Sequence, residues 1–139
     1  MNIVGFNFLK ISVSRDAKIK KIDNISTSID VLDLTKEVVP FLKESEGLKI
    51  NFKYLVDYEP KYAQILFEGV LMVSAAPDTV KETLKQWKKK QLSNDFKVPL
   101  FNTIMSKCNL KALNLEEEMG LPLHIQFPHF SAQQASKPQ

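Results

Sequence analysis

The feature that most constrains the fold is a pair of apolar segments joined by a short polar turn. From Leu48 to Tyr58 apolar residues alternate with polar ones, and a second apolar run extends from Tyr62 to Val73. Alternation predicts a strand, because successive side chains of a strand point to opposite faces of the sheet. The residues between the two runs, Glu59-Pro60-Lys61, are typical of a turn. The sequence therefore predicts an antiparallel hairpin. Its second strand is apolar at both parities, which is typical of a central strand.

Two further strands are predicted before this hairpin. Apolar residues follow one parity up to Phe8 and the other parity from Leu9 onward. Such a change of phase predicts either a bulge or bend near Phe8–Leu9 or a strand that is buried on both faces. A shorter alternating run begins at Ile25, and the segment 34–46 remains open between a loop and a short helix interrupted at Pro40.

Helical spacing follows the hairpin. After Pro77, apolar residues recur at Val80, Leu84 and Trp87, which predicts a helix with one apolar stripe. A second helix is predicted from near Pro99 to about residue 115, with Gly120 ending the turn after it. The expected architecture is a single α+β domain over residues 1–130. Its four-stranded antiparallel sheet carries helices on one face, and a disordered tail follows at 131–139.

An extended apolar segment follows Gly120. Pro122 and Pro128 exclude a regular helix across it. Alternating apolar residues predict that this segment lies in a groove, on this chain or on a neighbour. The candidate groove residues are Leu121, Leu123, Ile125, Phe127 and Phe130, with Trp87 nearby.

The positive charge is concentrated in one part of the chain. The formal net charge is +3, from 19 basic and 16 acidic side chains. Four of the lysines surround Trp87 in the sequence: Lys85, Lys88, Lys89 and Lys90. Lysines can contact phosphates while an aromatic ring stacks on a base, so a surface for RNA or a ribosome is one interpretation. In the other interpretation, Trp87 packs in the core and the lysines are solvated at a helix end.

Residues that could carry catalysis form no constellation. His124 and His129 are the only histidines, Cys108 is the only cysteine, and the four glycines are isolated. The run Glu116–Glu118 is interpreted as a solvated face, and the histidines as satisfied or half-exposed surface residues. We therefore expect no enzyme, no metal and no cofactor. A lone cysteine, no signal-peptide pattern and no apolar run of ~18 residues favour a cytoplasmic protein without a membrane span.

The order of the predicted elements, together with three motifs, resembles the SecB family of export chaperones. The motifs are Gly69-Val70-Leu71-Met72-Val73-Ser74, Val98-Pro99-Leu100-Phe101, and the proline-spaced segment Leu121 to Phe130. The chain also resembles archaeal SecB-like proteins that begin Met-Asn-Ile-Val-Gly-Phe-Asn-Phe and carry Trp-Lys-Lys and Lys-Cys-Asn. The resemblance implies a sheet with helices on one face, dimers or tetramers, and hydrophobic grooves that hold unfolded polypeptides. It implies a role in protein transport as well. The chain departs from the family in its basic charge.

The sequence thus favours a SecB-like holdase that binds unfolded or nascent polypeptides. Two alternatives remain open. The chain could be a basic accessory protein that binds RNA or a ribosome through Lys85, Lys88, Lys89 and Lys90. It could also be a structural assembly subunit, in which self-association covers the apolar surface.

Overall fold

The computed structural model describes residues 1–18, 20–38 and 46–128. Four strands come first: β1 (Asn2–Arg15), β2 (Asn24–Glu37), β3 (Glu46–Glu59) and β4 (Ala63–Ala75). Two helices follow, α1 (Pro77–Trp87) and α2 (Asn94–Glu118). The expected tail 131–139, the candidate groove residue Phe130 and most of the unassigned segment 34–46 lie outside the described residues.

The strands form one antiparallel sheet in the order β1-β4-β3-β2. The predicted hairpin is confirmed as β3 and β4, which pair in unbroken register from Glu46–Ala75 to Tyr58–Ala63. Its turn contains a cis Glu59–Pro60 peptide bond. β4 is central, as its apolar residues at both parities predicted, and β1 and β2 form the two edges of the sheet in the described part of the chain.

Of the alternatives for the change of phase in β1, the bulge is confirmed. The register with β4 shifts between Phe8 and Lys10, and a second shift lies between Ile3 and Gly5. In β2 a similar shift lies between Val31 and Asp33. Each bulge moves the following side chains to the other parity, so one strand can keep its apolar residues on the core side.

The core lies between one face of the sheet and the helices. Every second residue of β3 from Leu48 to Tyr58 is fully buried, and each faces β4 residues that are also buried. Gly69 of β4 makes room for the ring of Phe52, its partner in the strand register. A Cβ at this position would meet the Phe52 ring at 2.5 Å and the Asn7 carbonyl at 2.7 Å, so only glycine lets the ring lie over β4.

The second helix is longer than predicted. It begins at Asn94 rather than near Pro99, and Pro99 lies inside it. The prediction used the preference of proline for the first helical turn. In the structure the extra turn is held by Phe96, whose side chain is 4% exposed and packs in the core. The buried face of α2 is a row of residues spaced by four: Phe96, Leu100, Ile104, Cys108, Ala112 and Glu116.

The opposite face of the sheet is partly apolar. Leu55 of β3 and three β4 residues point to this side and are half-buried: Leu66, Val70 and Met72. The β1 residues Val4 and Leu9 are 49% and 64% exposed. Within the described residues, neither helix has the length and hydropathy needed to cross a bilayer.

Candidate functional site: an aromatic depression at the edge of the sheet

A shallow cavity of about 320 Å³ lies between the edge strand β2 and the connection of the two helices. Its lining combines apolar side chains with charged ones: Ile29, Asp30, Val31, Trp87, Lys90, Leu92, Lys97 and Phe101. This cavity is named the Trp87 depression below. Trp87 and Phe101 are half-buried and pack against the core. The interpretation in which Trp87 packs in the core is therefore confirmed in part, because the half-buried ring packs against the core and also lines the depression.

The position of the depression is set by the turn that ends α1. The N–H of Lys90 donates to the Trp87 carbonyl at 2.8 Å, and the N–H of Gln91 donates to the Gln86 carbonyl at 3.1 Å. This pair of bonds is the Schellman motif, in which the penultimate residue takes a left-handed conformation. Lys90 has φ of 56°. Its Nζ atom lies 4.3 Å from the centroid of the Trp87 ring.

The lysines of the sequence prediction lie together at this end of α1. Lys85, Lys88, Lys89 and Lys90 are all exposed. A fifth cation, Lys97, comes from the first turns of α2, and its Nζ atom lies 5.3 Å from the Phe101 ring centroid. The structure therefore brings Lys90 and Lys97 to the rim of an aromatic surface.

The C-terminal segment is only partly available as a groove surface. Leu121 is 6% exposed and belongs to the core, so its side chain supports the fold. Leu123 and Phe127 are 41% and 56% exposed, and Ile125 is half-buried. Trp87 shares its depression with β2 and α2 residues, and Leu121, Leu123, Ile125 and Phe127 do not line it.

This segment is attached to the domain by hydrogen bonds. The N–H groups of Leu121 and Gly120 donate to the carbonyls of Glu116 and Glu117 at 2.8 and 3.3 Å. Gly120 has φ of 64°, so the predicted glycine end of the helix is confirmed. The Tyr58 hydroxyl donates to the Pro122 carbonyl at 2.6 Å.

A second anchor is a buried polar cluster that the sequence interpretation missed. The Nδ1 atom of His124 lies 2.6 Å and 2.9 Å from the two carboxylate oxygens of Glu116, and the His124 backbone N–H donates to the same carboxylate at 2.9 Å. On the other side of the ring, Nε2 lies 3.0 Å from the Tyr54 hydroxyl and 3.1 Å from Asn109 Oδ1. The Tyr54 hydroxyl donates to Asn109 Oδ1 at 2.6 Å.

This cluster corrects two sequence expectations. Glu116 is not part of a solvated face, because its side chain is 0% exposed, and His124 is not a surface residue, because its side chain is 2% exposed. Burial raises the pKa of Tyr54 well above its ordinary value, so the hydroxyl remains a donor. The side chains of Glu116 and His124 are closed to solvent and hydrogen-bonded to each other, so the cluster fixes the chain directly after α2.

A metal site and the cysteine are two further candidate features of the described residues. Among residues 1–18, 20–38 and 46–128, no group of three or more His, Cys, Asp or Glu side chains could hold a metal ion. Cys108 is fully buried on α2, and its burial raises the pKa of the thiol to about 12. A thiol in this state is a poor nucleophile.

Comparison with protein-family models and with curated proteins finds no match. Among solved structures, the fold is similar to the Mycobacterium tuberculosis Rv1957 SecB-like chaperone in complex with a ChAD peptide from the Rv1956 HigA1 antitoxin. The TM-score is 0.52 and the sequence identity 11%, over 92% of this chain and 90% of that chain. The likeness confirms the α+β fold that the sequence resemblance implied. The finer resemblance to archaeal SecB-like proteins stays a prediction.

Proposed function

We propose that this protein is a holdase without enzymatic activity, which binds exposed hydrophobic segments of unfolded polypeptides. The observation that carries the proposal is the Trp87 depression, an aromatic surface beside the open edge of a sheet. Apolar burial is non-directional, so such a surface can accept many sequences. The similar fold of a SecB-like chaperone, described with a bound peptide, supports the same function.

The edge of β2 supplies the second part of the binding mode. β2 pairs only with β3 in the described sheet, so the backbone of Ile29 to Val31 has a free side next to the depression. An extended client can add to such an edge by main-chain hydrogen bonds, while its side chains enter neighbouring apolar pockets. The exposed Leu123 and Phe127 offer further apolar area, which stays a prediction.

The first experiment is a titration with an unfolded, reduced polypeptide that lacks tryptophan, at several salt concentrations. The chain has one tryptophan, so its fluorescence reports directly on Trp87. We expect a blue shift on binding and an affinity that survives high salt, because burial of apolar area is little screened. No binding at any salt concentration would contradict the proposal.

Replacing Phe101, an aromatic residue that lines the Trp87 depression, tests where the client binds. We expect Phe101→Ala to weaken client binding by about tenfold, the effect of losing roughly 1.4 kcal/mol of apolar contact. Leu110→Ala is the matched control, since Leu110 is also on α2 but is 68% exposed and does not line the depression. Thermal unfolding of both variants shows whether Phe101→Ala remains folded. A folded Phe101→Ala variant with unchanged affinity would show that the client does not bind in the Trp87 depression.

RNA or ribosome binding remains the second candidate, favoured by the exposed lysines at the end of α1. It predicts binding that falls steeply with salt, because phosphate contacts release counterions. Replacing Lys85, Lys88 and Lys89 by Gln would then lower the salt slope. A client affinity independent of salt argues against this function.

A further inference from the structure

Two cations lie over the aromatic rings of the Trp87 depression, and the described residues supply no counter-ion to either. Lys90 Nζ is 4.3 Å from the Trp87 centroid, and Lys97 Nζ is 5.3 Å from the Phe101 centroid. In the described part of the chain, no carboxylate lies within 4.0 Å of either ammonium group. The rim of the depression therefore has an unbalanced positive charge.

The single carboxylate that lines the depression does not remove this imbalance. Asp30 of β2 lies directly opposite Lys53 of β3 in the strand register. Opposite charges in such cross-strand positions attract each other. Lys53 alternates with the core-facing residues of β3, so this register pair lies on the face of the sheet away from the helices, and Lys90 and Lys97 remain available to a ligand.

The backbone at Lys90 takes a conformation that usually favours glycine. Both helices end in a Schellman motif, and the left-handed residue is Gly120 after α2 but Lys90 after α1. Glycine is the usual residue at this position, because a Cβ disfavours the left-handed conformation. Unfavourable backbone conformations of this kind cluster at functional sites. Here the conformation holds an ammonium group over the Trp87 ring.

We propose that the Trp87 depression selects extended peptides in which an aromatic or large aliphatic residue is flanked by Asp or Glu. The apolar side chain would enter the cavity, and the flanking carboxylates would pair with Lys90 and Lys97. This selectivity deepens the proposed function and rests on it. It makes acidic, partly hydrophobic polypeptides the preferred partners of this chain.

The test compares three short peptides with the same central Phe-containing sequence, flanked by Glu, Lys or Ser. Affinities are measured from Trp87 fluorescence at low and at high salt. We expect the Glu-flanked peptide to bind about fivefold more tightly than the Ser-flanked one, the scale of two partly exposed ion pairs. The Lys-flanked peptide should bind most weakly, and the differences should shrink at high salt.

Lys90→Gly separates this role from a structural one. Glycine suits the left-handed turn, so we expect an equal or higher melting temperature. The same variant should lose about half of the Glu-over-Ser preference, measured as the ratio of the two affinities within that variant. Lys97→Gln should have a similar effect on the preference. The control is Lys49→Gln, which removes an exposed lysine from the face of the sheet opposite to the helices.

The outcomes separate the two proposals. Equal affinity for all three peptides would overturn the charge selectivity and leave the proposed function standing, whereas no binding of any peptide would overturn both. A preference that persists unchanged in Lys90→Gly and Lys97→Gln would also overturn the selectivity. Displacement of the Glu-flanked peptide by a lower concentration of polyuridylate would assign the lysines to RNA instead.

Discussion

A carboxylate and an imidazole that share one buried contact fix the segment directly after α2. Glu116 occupies the last position of the buried row on α2, four residues after Ala112. That spacing was visible in the sequence, but the two following glutamates favoured a solvated face. Its partner His124 lies beyond a glycine turn and a proline. No local pattern connects two such residues, so the cluster could be found only from the three-dimensional structure.

We expect Glu116→Gln to lower the free energy of unfolding by about 3 kcal/mol, because breaking a buried pair leaves its partner unsatisfied. Urea unfolding measures this change. Glu118→Gln is the matched control, since Glu118 is exposed on the same helix and should change stability by less than about 0.5 kcal/mol. Equal effects of the two substitutions would show that Glu116 is not the anchor.

Cys108 should be inert in the folded protein. Burial raises the pKa of the thiol to about 12, above its ordinary value near 9. The unfolded chain loses this proton at a lower pH than the folded chain. Stability from this group is therefore complete below pH 9 and is lost as the pH rises towards 12. At pH 8 we expect a thiol reagent to label Cys108 only at the rate of unfolding, and rapidly in denaturant. Fast labelling of the native protein would contradict the burial.

At the scale of elements, the sequence was most informative where the backbone has special requirements. The hairpin, the bulge near Phe8 and the glycine end of α2 each follow from alternation or from residue conformation, and each is confirmed. The predicted start of α2 was wrong. It relied on the preference of proline for the first helical turn, whereas burial of the Phe96 side chain in the core extends the helix back to Asn94. The core contacts of Phe96 involve residues that are distant in the sequence, so the spacing of residues around Pro99 does not reveal them.

The turn after α2 gives a prediction at this scale. An alanine at Gly120 would adopt the left-handed conformation at φ of 64°, and its Cβ would meet Arg15 Nη1 at 3.3 Å. Arg15 Nη1 donates to the carbonyls of Met119 and Gly120 at 2.6 and 3.2 Å, so the same substitution also crowds this link to β1. We expect Gly120→Ala to reduce the free energy of unfolding by about 1–2 kcal/mol, measured by urea unfolding. A stability equal to that of the parent chain would exclude a left-handed residue here.

At the scale of the whole molecule, the helices cover one face of the sheet and leave the other partly apolar. The expectation of a dimer or tetramer stays a prediction, and the third candidate function, an assembly subunit, depends on the same surface. Val4 and Leu9 are the most exposed apolar residues of the edge strand β1. A second copy of the chain could cover them.

We expect Val4→Lys combined with Leu9→Lys to shift the mass in sedimentation towards that of a monomer, 15.9 kDa. Charges at an apolar contact oppose association because they lose hydration there. Leu110→Lys introduces a charge at an exposed position of α2 and serves as the control. An unchanged mass in a folded double variant would place the contact between copies elsewhere, or show that the chain is a monomer.

The strand order has a consequence for the synthesis of the protein. β1 is made first, but its hydrogen-bonding partner is β4, so it has no neighbour until the ribosome has passed Ala75. Contacts between distant segments form slowly, and a strand with open edges is prone to aggregate during the delay. During synthesis, therefore, a protein proposed to bind unfolded chains itself exposes a long strand, β1, that stays unpaired until β4 has been made.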